Sequence, residues 1–186
     1  MTLLDSPTVP AIPEIDASER ATRLQEAGTA WHGRLAGDPA TAQLTYRVRG
    51  AGEGSVATRL RAGAHEFLID EPAALAGDDV AASPVEIALG ALIACQVVVY
   101  RLYAEALGIA VDDIDVVAEG DLDARRLFGL DHTVRAGFSA VRLDVTVTGP
   151  ETAERYEQLK ATVDEHCPVL DLVANATPVT ASIRKG

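Results

Sequence analysis

Positive charge is scarce in this chain. Sixteen Lys and Arg stand against 28 Asp and Glu among 186 residues, a formal net charge of −12 at pH 7. That balance excludes a nucleic-acid partner, which needs concentrated cations to displace counterions from phosphates. It equally argues against an anionic membrane surface. Cysteine occurs only twice, at 95 and 167, so there is no disulfide framework, and a chain of this length buries a core without one. The four histidines (His32, His65, His132, His166) are too scattered for a metal-ligand spacing, and no metal site is expected. No Gly-rich phosphate loop, nucleophile elbow or dinucleotide fingerprint is present. The longest apolar run, Ile87 to Tyr100, is bounded by Glu86 and Arg101 and spans 14 residues. A membrane crossing takes about 20, so the run is expected to be a buried helix. The first twenty residues have no basic segment followed by an apolar one, so no secretory signal is expected and the location is expected to be cytoplasmic. In that reducing compartment a permanent disulfide is not expected, although a transient catalytic one is compatible with it.

What is present is the pattern of one globular domain with hydrophobic residues at 48%. Residues 1–15 read as a loose tail, and a helix starts at the Asp16-Ala-Ser-Glu19 cap and ends at Gly28. Alternation predicts strands over 44–48, 56–61 and 66–70, with glycine turns between them. Ser83-Pro84 opens a long helix that Gly108 ends, because Ser is a favoured cap and Pro is tolerated at the first helical position. Its apolar residues run nearly all the way round, which predicts burial on most sides. Period-2 patterns predict strands over 114–122 and 141–147, joined by the polar stretch 124–137. A second helix follows Gly149-Pro150 and runs to Cys167, Pro168 interrupts it, and a last strand is predicted over 179–184. The order βββ-α-ββ-α-β defines an α+β fold. Residues 1–39 form an N-terminal tail and helix, and residues 40–186 the main domain.

Chemistry centres on the two cysteines. Free cysteine commonly packs as a small hydrophobe, and a mid-helix thiol such as Cys95 gains nothing from the helix dipole. A reactive Cys95 therefore requires a cation or hydrogen-bond donor brought in by tertiary structure. His166 precedes Cys167, but adjacent helical residues point about 100° apart and do not pair. Asp115, Glu119, Asp121 and Asp123 share one strand face and read as a solvated sheet surface.

Asp70-Glu-Pro72, Ser83-Pro-Val-Glu86 continuing to Ala94-Cys95, Glu119-Gly-Asp-Leu-Asp123, Gly137-Phe138 and His166-Cys-Pro-Val169 together resemble the OsmC/Ohr family, osmotically induced and organic-hydroperoxide-resistance proteins. The resemblance spans about residues 40–184. It implies an intertwined homodimer in which antiparallel sheets wrap two long central helices, with active sites at the dimer interface. It also implies a thiol-dependent peroxidase. The residue matching Cys95 attacks an organic hydroperoxide and becomes a sulfenic acid, the one matching Cys167 condenses with it to a disulfide, and a small dithiol or other thiol reductant restores both. That cycle needs no cofactor and suits a reducing compartment. In the peroxidase branch a glutamate directly follows the helix-opening proline. Here Val85 holds that place and Glu86 follows, nine residues and about 180° from Cys95 on an ideal helix. Arg47, Arg49, Arg59 and Arg61 compete for the role of the family arginine. The broader OsmC-like subgroup shares the Glu86-to-Cys95 arrangement. Two other readings use the same apolar pocket: a non-enzymatic dimeric binding protein, and a redox sensor.

Overall fold

The computed structural model describes residues 11–186. The first ten positions of the expected tail lie outside them, and residues 11–16 carry no regular structure.

Helix α1 spans Ala17–Gly37. Asp16 caps it by accepting the Glu19 N–H at 2.8 Å. It does not end at Gly28. Gly28 and Gly33 lie on open helix surface with nothing near their missing Cβ, and the stop comes at Asp38. An internal glycine costs about 1 kcal/mol against alanine, which a helix with twenty-one residues of hydrogen bonding absorbs.

Three strands follow as an antiparallel meander, β1 (Val48–Glu53), β2 (Ala57–Ala62) and β3 (His65–Ile69). β1 begins where the expected first strand ended, so Gly50 and Gly52 sit inside a strand rather than in a turn. Gly50 is paired with Leu60, and a Cβ there would lie 2.7 Å from the leucine Cδ2, so a larger residue would have to push that side chain aside. The turns use Gly54 and Gly63, both at positive φ. All six β1 residues are exposed, and the meander stands away from the helices.

Helix α2 spans Pro84–Leu107 and ends at Gly108 in the left-handed region. The apolar run is thus part of a 24-residue helix, the one among the described residues long and apolar enough to cross a membrane. It packs instead against α1 and the later elements β4 (Asp113–Asp121), α3 (Ala153–His166) and α4 (Pro168–Ala174), while β5 (Ala140–Thr148), paired with β4, sends Val145 and Val147 to the same core. Val99, Tyr100 and Ala104 of α2, Leu159 and Val163 of α3, Ile109 and Cys167 form the core. The expectation of burial on most sides fails in the single chain. Ala91, Ala94, Val98 and Leu102, at helical spacing, are exposed, Val98 by 56%.

β4 and β5 alternate strictly, with Ile114, Val116 and Ala118 inward and Asp115, Glu119 and Asp121 on the solvated face, as the carboxylate pattern predicts. Arg142 spans Glu119 and Asp121 from the opposite strand. After Pro168 the chain forms a further helix, α4, since Pro at the first position is compatible with a new helix. The predicted strand over 179–184 is not formed. Val179 and Ile183 are 87% and 97% exposed, and the segment pairs with neither sheet, although β4 and β5 each keep an open outer edge. The architecture is α+β, with two small antiparallel sheets rather than one.

Candidate functional site

The two cysteines, 72 positions apart in sequence, are brought together by the packing of α2 on α3 and α4. Cys95 is the twelfth residue of α2, half-buried, and packs against the core cluster that contains Cys167. Cys167 is 1% exposed and sits at the corner between the two later helices. Its N–H donates to the Val163 carbonyl at 2.9 Å, closing α3, and its own carbonyl accepts the Asp171 N–H at 3.0 Å, opening α4. The His166-Cys-Pro-Val169 sequence makes this corner. Pro168 cannot continue α3 but starts α4, which turns the thiol inward.

Both thiols are free. Burial pushes the Cys95 thiol above its ordinary value, the backbone N–H of Val169 pulls it down, and the neighbouring Cys167 pushes it up. Val169 escapes a reading of side chains alone. The signal for it is Pro168 at the first helical position, which leaves the next N–H without an intrahelical acceptor.

No cation stands among the groups acting on the Cys95 thiol. Of the four candidate arginines, Arg59 pairs with Glu53 at 2.7 Å and Arg61 donates to the Gly63 carbonyl at 3.2 Å. Arg49 and Arg47 lie on and just before the exposed β1. Glu86 is also apart from the thiols. It is the third residue of α2, about 13 Å before Cys95 along the axis. There its carboxylate accepts the Ser83 N–H at 2.8 Å and the Ser83 hydroxyl at 2.6 Å in a capping box. Those bonds hold the Glu86 carboxyl below its ordinary value.

His166 turns away from Cys167. Its ring lies 4.5 Å from that of Tyr103, centroid to centroid, and Nδ1 is 2.7 Å from the Thr162 carbonyl oxygen. Beside Cys95, Gln96 is 1% exposed and its Nε2 has no partner. It is the single polar residue of the apolar run. Asp70 is also buried, and its Oδ2 accepts the N–H groups of Asp78 and Val80, organising the loop that leads to α2. Among the described residues no three His, Cys, Asp or Glu side chains gather around one point.

An α+β chain with a mid-helix thiol facing a second thiol at a Cys-Pro helix corner is a dithiol protein of a particular build. The sequence model of the OsmC-like protein family matches residues 77–182, which include both cysteines and exclude α1. The chain belongs to that family. The fold is similar to an OsmC-like protein of Mycoplasma pneumoniae, with a TM-score of 0.62 at 15% identity, covering 71% of this chain and 89% of that one. It is also similar to an organic hydroperoxide resistance protein of Legionella pneumophila, with a TM-score of 0.55 at 23% identity over 70% of this chain and 89% of that one. The organic hydroperoxide resistance protein of Bacillus subtilis gives 0.50 at 20% identity, over 70% and 90%. No curated protein matches the sequence.

Proposed function

We propose that the chain is a two-cysteine thiol peroxidase that reduces organic hydroperoxides. The observation that carries this reading is the contact between the Cys95 and Cys167 thiols inside one apolar cluster. The Cys95 thiolate attacks the terminal peroxide oxygen, the O–O bond breaks, and the alkoxide leaves and takes a proton as the alcohol. Cys95 is then a sulfenic acid. The Cys167 sulfur attacks it, water leaves, and a disulfide forms. A dithiol reductant of the reducing cytoplasm exchanges with that disulfide and restores both thiols. Apolar neighbours such as Val99 and Leu170 favour organic over hydrogen peroxide.

The working unit is a homodimer. The exposed α2 stripe, the freestanding β1–β3 meander and the unpaired 179–184 segment are three surfaces that a second copy covers, and it supplies the cation Cys95 lacks. Neither metal nor organic cofactor enters the cycle.

The test is free-thiol content by mass spectrometry before and after one equivalent of cumene hydroperoxide. Rapid loss of both thiols to a Cys95–Cys167 disulfide, reversed by a dithiol, is expected. Two unreacted thiols would overturn the reading. The upward push on the Cys95 thiol favours two others, a binding module in which both thiols are packing groups and a redox sensor oxidised without rapid turnover. Unreacted thiols mark the binding module, and rate separates the peroxidase from the sensor.

A further inference from the structure

Arg20 and Arg101 line one small cleft, of about 220 Å³. It lies between the first two turns of α1, the C-terminal half of α2 and the 109–112 turn that leads into β4. Arg20 lies outside residues 77–182 that match the family and Arg101 inside them, so the cleft joins α1 to the family domain.

Arg101 is the fixed side. Its guanidinium donates to the Val111 carbonyl at 2.8 Å and to the Asp112 carbonyl at 3.2 Å, which fastens the turn to α2. A guanidinium has more N–H groups than two carbonyls use, so donors remain. Arg20 approaches from α1. Among the described residues it is the one half-buried arginine whose side chain makes neither an ion pair nor a hydrogen bond. The two like charges act on each other. Burial first, and then the charge of Arg20, hold the Arg101 guanidinium below its ordinary value, against the opposite pull of Asp113 and Asp112. Glu105 and Asp112 also line the cleft, yet among the described residues no carboxylate is paired with either guanidinium. Partly desolvated like charges without a counter-charge are costly. In a chain of net charge −12 there is no shortage of carboxylates that could have offset them.

We propose that this cleft binds a phosphate group, as the free ion or as a phosphate monoester, between Arg20 and Arg101. Three features select that ligand. The cleft is smaller than small-molecule sites of roughly 300–1,000 Å³, which suits an oxyanion or a head group. A tetrahedral oxyanion offers acceptors to donors on two sides, whereas a planar carboxylate matches one fork. A phosphate group carries about −1.5 to −2 charge at pH 7, enough to offset both guanidiniums. Bound there, it ties α1 to α2, so binding also raises stability by mass action. Neither sulfur takes part, and binding stands or falls separately from the peroxidase reading.

The experiment is calorimetric titration of the reduced, full-length protein with inorganic phosphate at constant ionic strength held with sodium chloride. Saturable binding is expected, with a denaturation midpoint that rises with phosphate and not with added chloride. Arg20→Gln is expected to weaken binding at least tenfold, the loss of a charge-assisted hydrogen bond being worth that much. Arg20→Lys should restore part of it. Glycerol phosphate binding as tightly as inorganic phosphate would assign the cleft to monoesters, and weaker binding would assign it to the free ion. Phosphate affinity unchanged by Arg20→Gln would overturn the proposal. So would no saturable binding to wild type, the result expected if Glu105 swings into the cleft or a second copy of the chain covers it. Circular dichroism of Arg20→Gln checks that α1 is intact, since glutamine and arginine have similar helix propensity.

Discussion

The Glu86 carboxylate accepts both the backbone N–H and the hydroxyl of Ser83, so the residue that resembles a catalytic carboxylate in sequence fastens the start of α2 in the structure. Ser83→Ala removes the cap and is expected to cost about 1 kcal/mol, read as a lower denaturation midpoint. Glu86→Gln should lower the midpoint less, since an amide oxygen still accepts. The pH dependence follows from the depressed Glu86 carboxyl. Its stabilising contribution is complete above the unfolded glutamate value and is lost as pH falls through the lower folded value. Stability of wild type and Glu86→Gln should therefore converge in acid. A catalytic Glu86 would instead shift the pH profile of Cys95 alkylation in Glu86→Gln, and no shift is expected in the single chain.

Cys95 carries the second prediction. Its thiol is pushed up, chiefly by burial, so the thiolate fraction at neutral pH is below that of free cysteine. Iodoacetamide should label Cys95 of a dissociated chain slowly at pH 7 and faster as pH rises past the ordinary cysteine range. Fast labelling at pH 7 in the concentrated protein, lost on dilution, would show that assembly supplies the missing cation. Cys167, 1% exposed, should resist labelling under both conditions until the fold opens.

Phe138 and Gly120 carry the third. A methyl group at position 120 meets the phenyl ring, and overpacking of this kind costs about 1–3 kcal/mol. Gly120→Ala should lower the denaturation midpoint accordingly, and combining it with Phe138→Leu should recover part of the loss. A double-mutant cycle without coupling would mean the ring moves freely aside.

These residues also show how much was legible in the sequence. α2, β4, β5 and α3 carry strong periods and recognisable caps: Ser83, Pro84 and Gly108 bound α2, and the alternation over 114–122 and 141–147 lies within one residue of β4 and β5 at each end. Local signals misled where tertiary contact decides. Gly50 and Gly52 look like a turn, yet both pair with β2, Gly50 opposite Leu60 and Gly52 opposite Thr58. Gly28 looks like a helix stop, yet nothing opposes continuation to Gly37. The strand over 179–184 has the right alternation, but a strand forms only where the segment reaches an edge, and this one pairs with none of the open edges of the two sheets. For the site, the Cys95–Cys167 pairing followed from resemblance rather than spacing. The Val169 N–H and the unpartnered Gln96 amide depend on how α2 meets α4, which no local pattern encodes.

The fourth prediction concerns the stripe Ala91, Ala94, Val98 and Leu102. These side chains recur at three and four positions along one face of α2 and are exposed in the single chain. Helices bring small and branched residues to such a face when another helix packs closely on it. A patch of this kind is otherwise uncommon on a soluble monomer. Sedimentation of wild type should give a dimer, and Val98→Asp, which buries an unpaired carboxylate in the contact, should give a monomer. The monomer should retain the circular dichroism of α2–α4, because the core of Leu159, Val163, Tyr100 and Cys167 lies on the opposite side of the helix. It should also lose fast oxidation of Cys95, because the thiol then keeps only the Val169 N–H to stabilise its charge. A wild-type monomer that still forms the disulfide rapidly would place the whole reaction within one chain and leave the stripe without a role in it.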